Sequence, residues 1–244
     1  MSGSKIVSAN LAFVGALAAS QMLRADVFVI PSVWTDLEGD RRNFFPFTLT
    51  PSNLTSQRYQ QIYAADEFLP LGTQVISRIA FRADGAEAGA FSFTIPHITL
   101  SLSTTSQVED GLSLVFADNI GPDELVVYDG AWSLSGALSD AAPHGWDFYF
   151  DLTTPFVFNP SSGNLLLDVR NYGGDVGLTF DVTRRHNDGV SRVYTRDFHD
   201  VFSPEGDIDS LGLGLITQFT SVSVPEPAGF LAAVGLLICT KRRR

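Results

Sequence analysis

Phe91-Ser92-Phe93-Thr94-Ile95-Pro96-His97-Ile98-Thr99-Leu100-Ser101-Leu102 decides the fold class. Apolar and polar residues alternate strictly up to Ile95, and the alternation resumes in the opposite phase after Pro96. A period of two places one set of side chains on a buried face and the other in water, as in a half-buried strand. Pro96 donates no backbone hydrogen bond, so the sequence predicts a new strand starting at His97.

The same period runs outward in both directions. Val75, Ile79 and Phe81 alternate with Arg78 and Arg82. Phe148, Phe150 and Leu152 alternate with Asp147, Tyr149 and Asp151, and Leu165, Leu167 and Val169 with Leu166, Asp168 and Arg170. Leu178–Thr183, Arg192–Phe198 and Leu211–Phe219 close the series. Asp129-Gly130 and Asn159-Pro160 read as turns. No stretch keeps a helical period over three turns, and Arg58–Phe68 is the nearest to an exception. Asp26–Ser56 is irregular and reads as an edge strand or an N-terminal arm. Many short strands with frequent turns predict an all-β fold: an antiparallel sandwich, jelly-roll-like, over residues 26–222.

Both ends differ from this body. Residues 1–25 have a positive start at Lys5, an apolar run over Ile6–Ala19 and a cleavage position between Ala25 and Asp26, which is a signal-peptide pattern. Ala18-Ala19-Ser20 offers an alternative cut. The tail over residues 223–244 begins with Val224-Pro225-Glu226-Pro227, where the prolines forbid helix and strand alike. An uncharged run follows: Ala228-Gly229-Phe230-Leu231-Ala232-Ala233-Val234-Gly235-Leu236-Leu237-Ile238-Cys239-Thr240. Lys241, Arg242, Arg243 and Arg244 end the chain, and cations beside an apolar helix favour the cytoplasmic side. As a helix the apolar run is short, ~20 Å against a hydrocarbon core of ~30 Å. It therefore suits a transient anchor, with the bilayer thinned or the arginines snorkelling.

This tail resembles the bacterial PEP-CTERM sorting signal. The resemblance implies export by the general secretion machinery and a membrane-anchored intermediate. It further implies cleavage at Pro225-Glu226-Pro227 by an exosortase, a membrane-embedded transpeptidase-like protease of bacteria that make exopolysaccharide. The body is similar to a group of secreted proteins with the same tail, through Arg58–Tyr63, Ile79–Arg82, Phe91–Thr94, Leu100–Thr104, Gly163–Asn171, Val190–Tyr194 and Leu215–Phe219. That likeness implies a shared β-sandwich and a cell-surface or extracellular-matrix address. The group has no assigned reaction, so it transfers no functional residue.

Charge narrows the partners. The chain has 16 cations and 27 acids; without Lys5, Arg24, the four basic tail residues and Glu226, the body keeps 10 and 26, a net −16. Such a surface repels phosphate backbones and anionic lipid, so nucleic acid is excluded and a neutral exopolysaccharide or a divalent cation fits. The body contains no lysine and no cysteine, which removes Schiff-base, thiol and cysteine–zinc chemistry.

Within the body the candidate sites are sparse. His97, His144, His186 and His199 show no metal or triad spacing and read as structural or surface residues. Asp147 with Asp151, and Asp168 and Asp181, lie on polar strand faces and are the carboxylates a glycan-active hydrolase would use. As calcium-type oxygen donors, Asp207 and Asp209 in one loop, and Asp181 with Asn187-Asp188-Gly189 in another, are the only candidates for a cofactor. Of the aromatics that could stack on sugar, Trp34, Trp132 and Trp146 read as core, while Tyr172 reads as exposed. The sequence thus favours an exported, non-enzymatic matrix protein, with a carbohydrate-binding module and a glycan-active hydrolase as alternatives.

Overall fold

The computed structural model describes residues 25–196, 200–208 and 212–224. It is all-β, and every strand pairing is antiparallel. The strands are β1 (Ala25–Ile30), β2 (Arg41–Asn43), β3 (Gln57–Tyr63), β4 (Gln74–Phe81), β5 (Ala90–Thr105), β6 (Leu125–Ala137) and β7 (Phe148–Phe158). They continue with β8 (Asn164–Asn171), β9 (Phe180–Arg184), β10 (Val190–Tyr194), β11 (Asp207–Ile208), β12 (Leu213–Leu215) and β13 (Thr217–Ser223). Helical structure among the described residues is confined to single 3-10 turns, and none of it is long and apolar enough to cross a membrane.

A four-stranded sheet, β1-β13-β4-β7, packs against a six-stranded one, β11-β10-β3-β8-β5-β6. The small sheet β12-β9-β2 joins the four-stranded sheet at Ala83, which bridges to Phe180. Aromatic side chains fill the space between the two large sheets. Trp132 of β6 stacks on Phe150 of β7 with ring centroids 4.2 Å apart, and Tyr63 meets Phe219 edge-on at 5.1 Å. Trp132 Nε1 donates to the Tyr149 carbonyl at 2.9 Å, which satisfies the polar end of a buried indole.

Several local expectations change. β5 is one strand, not two: Pro96 and His97 form a bulge in the pairing with β6, and the extra residue explains the change of phase. Asp129-Gly130 is not a turn, because β6 runs through it to Ala137. Arg58–Phe68 is strand β3 followed by a 3-10 turn. Leu112–Phe116, whose apolar residues read as one more short strand in the sequence, forms none and leads into a 3-10 turn over Phe116–Asn119. Asp26–Ser56 contains β1, an edge strand as expected, and β2.

The loop over residues 106–124 covers part of the outer face of the six-stranded sheet. Phe116, Leu112 and Ile120 form a second core there with Ile62, Leu166 and Val193. Under this cover Arg58 Nε donates to both oxygens of Asp168 at 3.2 Å, and Gln60 Nε2 donates to Asp168 Oδ2 at 2.8 Å. Asp168, expected on a solvated face, is therefore buried and paired. Asp181, in β9 of the small sheet, is buried too, paired with Arg82 just after β4, because the loop before β2 closes over it.

An open groove on the six-stranded sheet

The covering loop ends at β5. Gly121 N donates to Ser103 Oγ at 3.1 Å and Asp123 Oδ1 accepts from Thr104 N at 2.6 Å. Beyond that point β5, β6 and β8 present an uncovered stretch of sheet. It forms a groove of about 360 Å³ lined by His97, Thr99, Ser101, Glu124, Val126, Asp129, Arg170 and Tyr172.

Each lining side chain is placed by register. Thr99 pairs with Asp129 of β6 on one side and with Arg170 of β8 on the other, so all three project to the same face. The bulge at Pro96-His97 turns His97 outward beside them. His97 Nε2 lies 2.8 Å from Asp129 Oδ1, which also accepts from Thr99 Oγ1 at 3.4 Å. Tyr172 follows the end of β8, and its amide donates to the His97 carbonyl at 3.1 Å. Its ring stacks on the His97 ring, 4.2 Å between centroids and 10° from parallel. Phe202, 75% exposed, leans over Tyr172 at 5.9 Å. The result is a partly exposed aromatic platform flanked by an acid pair, a hydroxyl and a guanidinium.

The sequence singled out Tyr172 and His97 but did not join them. It missed Asp129, which looked like turn punctuation, and Phe202 and Arg170, whose positions depend on pairing. Trp34 and Trp132 are buried as expected, and Trp146 is half-buried against the Val29–Trp34–Ile216 cluster.

The other candidates lie elsewhere. Asp151 is exposed and pairs with Arg78 at 2.6 Å, while Asp147 precedes β7 in a loop. Asp168 and Asp181 belong to separate sheets, each tied to its own arginine. His144 is buried, with Nε2 2.9 Å from the Glu87 carbonyl and Nδ1 3.1 Å from Ser139 Oγ, as a structural histidine would be. His186 Nδ1 lies 3.2 Å from Asp110 Oδ2. Asp207 is 3.9 Å from Arg196. Asp188 accepts from the Thr183 hydroxyl and the Val190 amide, partners separate from those of Asp181. His199, Asp209, residues 1–24 and the tail from Pro225 onward lie outside the described residues.

Ala25 and Asp26 open β1, opposite Val222 and Ser221 of β13. Asp26 Oδ2 accepts from Ser223 Oγ at 2.8 Å, and Val224 N donates to the Thr73 carbonyl at 2.9 Å. The two ends of the β body thus leave it side by side.

No family model matches this chain, and no curated protein matches it.

Proposed function

We propose that this chain is an exported, non-enzymatic β-sandwich protein of the cell surface or exopolysaccharide matrix, and that its groove holds a neutral glycan. The observation that carries the glycan reading is the His97–Tyr172 stack, set open on a sheet face beside Asp129, Thr99 and Arg170. Sugar rings present flat C–H faces to aromatic rings and a rim of hydroxyls to charged and hydroxyl groups, and this platform offers both. The acidic surface favours a neutral polymer over a uronic one.

The address rests on the two ends of the sequence. Export follows from the signal pattern over residues 1–25. Sorting follows from Val224–Pro227, the apolar run and the basic end, with an exosortase as the processing partner. The pairing of Ala25 with Val222 supports this reading, since a body whose ends emerge together can hang from a membrane by one sheet edge.

Two experiments test the parts separately. Titration calorimetry of the full chain against the native exopolysaccharide is expected to give saturable, stoichiometric heat, with the affinity weakened in Tyr172→Ala; no heat with the intact chain ends the glycan reading. Replacement of Pro225-Glu226-Pro227 by three alanines is expected to keep the protein with the cells. Its arrival outside with an unchanged C-terminal mass ends the sorting reading. A glycan-active hydrolase would instead release reducing sugar from the same polymer.

A further inference from the structure

A second cluster lies away from the groove residues, where the loop before β2 meets the end of β4 and the start of β9. Asp181 Oδ1 accepts from Gly39 N at 2.8 Å, and Oδ2 from Arg82 Nε at 2.7 Å. Arg82 is itself buried and also donates to the carbonyls of Trp34, at 3.1 Å, and Leu37. Glu38 Oε1 accepts from Gly85 N, and Asp84 Oδ1 from Ala86 N at 3.0 Å. Carboxylate oxygens of Glu38, Asp84 and Asp181 lie within 4.8 Å of one another.

Glu38 Oε2 is sealed from solvent and has no hydrogen-bond partner among the described residues. A carboxylate oxygen left so is costly unless a cation or a proton covers it. Three carboxylates here face one guanidinium, which leaves two negative charges uncompensated if all are ionised. Gly39 and Gly85 bring the backbone directly onto the acids: a Cβ on Gly39 would overlap Asp181 Oδ1, and one on Gly85 would meet the Glu38 carboxylate at 2.9 Å.

We propose that Glu38, Asp84 and Asp181 bind a calcium ion that pins the loop before β2 onto the small sheet. The donors are all hard oxygens, and they come from loops as well as a strand, which suits the irregular coordination of calcium better than the strict octahedron of magnesium. Arg82 keeps its place as the counter-charge of Asp181, and the ion takes the remaining oxygens. This site is independent of the glycan groove and of the address.

The test is terbium luminescence on the full chain, excited through Trp34 and Trp146. Trp146 lies over the Arg82 guanidinium at 4.9 Å, close to the cluster. Saturable emission at one ion per chain is expected, displaced by calcium at about 1 mM, the range of extracellular modules. Saturating calcium is expected to raise the melting temperature by about 3 °C or more over EGTA. Glu38→Gln and, independently, Asp84→Asn are expected to abolish both effects while keeping the near-ultraviolet dichroism of the parent. Emission that calcium does not displace, or that survives in both variants, overturns the proposal. So does equal melting in calcium and EGTA with a more stable Glu38→Gln, which would place a proton, not a metal, on Glu38.

Discussion

His97 and Tyr172 stack ring on ring across the junction of β5 and β8, while His97 also reaches Asp129 at 2.8 Å. The histidine thus fixes the plane of the tyrosine and ties it to the charged side of the groove. Removing the platform should weaken glycan binding more than removing either flank. Tyr172→Ala is expected to lower affinity about tenfold, the equivalent of ~1.4 kcal/mol. Phe202→Ala, at the rim, should cost less. Calorimetry checks the order; an unchanged affinity in Tyr172→Ala would remove the groove from consideration.

Arg82 and Asp181 form an ion pair closed to solvent, whereas Arg78 and Asp151 form one in water. The two should respond very differently to loss of one partner. Arg82→Met leaves a buried carboxylate uncompensated and is expected to cost about 3–5 kcal/mol. Asp151→Asn should cost about 0–1 kcal/mol. Urea unfolding of both variants decides; equal losses would contradict the difference in burial.

Phe116 fills the second core and lies under the Arg58 guanidinium, 4.5 Å from ring centroid to carbon. Asn119 Nδ2 bonds Gln60 Oε1 at 2.9 Å beside it. Phe116→Ala should therefore destabilise by about 3–5 kcal/mol. Limited proteolysis is expected to cut within residues 106–124 first, since that loop loses its main apolar anchor. Cleavage elsewhere, with this loop intact, would show that Phe116 does not hold the cover down.

Burial pushes the carboxyls of Asp188 and Asp181 up to about 6, from 3.8. The folded chain then holds protons that the unfolded chain releases between those values, so stability falls as pH rises through that window and levels off above about 6. Asp175 acts in the opposite sense: burial raises its pKa, but hydrogen bonds from the Thr50 hydroxyl and from backbone amides together outweigh it and lower it, so its window lies below 3.8. Asp188→Asn is expected to flatten the decline, and bound calcium to flatten the part due to Asp181. Melting temperatures measured from pH 4 to 7 test this; a parent that gains stability across the window would refute the assignment.

The all-β class was legible because alternation is a local property. Ile98, Leu100 and Leu102 declare one buried face whatever they pair with, and a slip of one residue would turn that face to water. Composition likewise gave the acidic, lysine-free body. Pro96 showed where β5 changes phase, though only pairing with β6 revealed a bulge there in place of a new start. Asp129-Gly130 misled because a turn dipeptide and a strand interior look alike without the partner strand.

Asp168 and Asp181 show the same limit from the other side. Each occupies a polar position of a regular strand, and nothing within ten residues tells that Phe116 or Gly39 will close over it. Alternating side chains, turn residues and the two atypical ends were determined by the sequence itself, since each depends on near neighbours and on partition between water and an apolar phase. Which polar residues are buried, which aromatic rings meet, and which three carboxylates share one corner were decided only in three dimensions. Those outcomes depend on strand order and loop cover, which bring together residues more than a hundred positions apart.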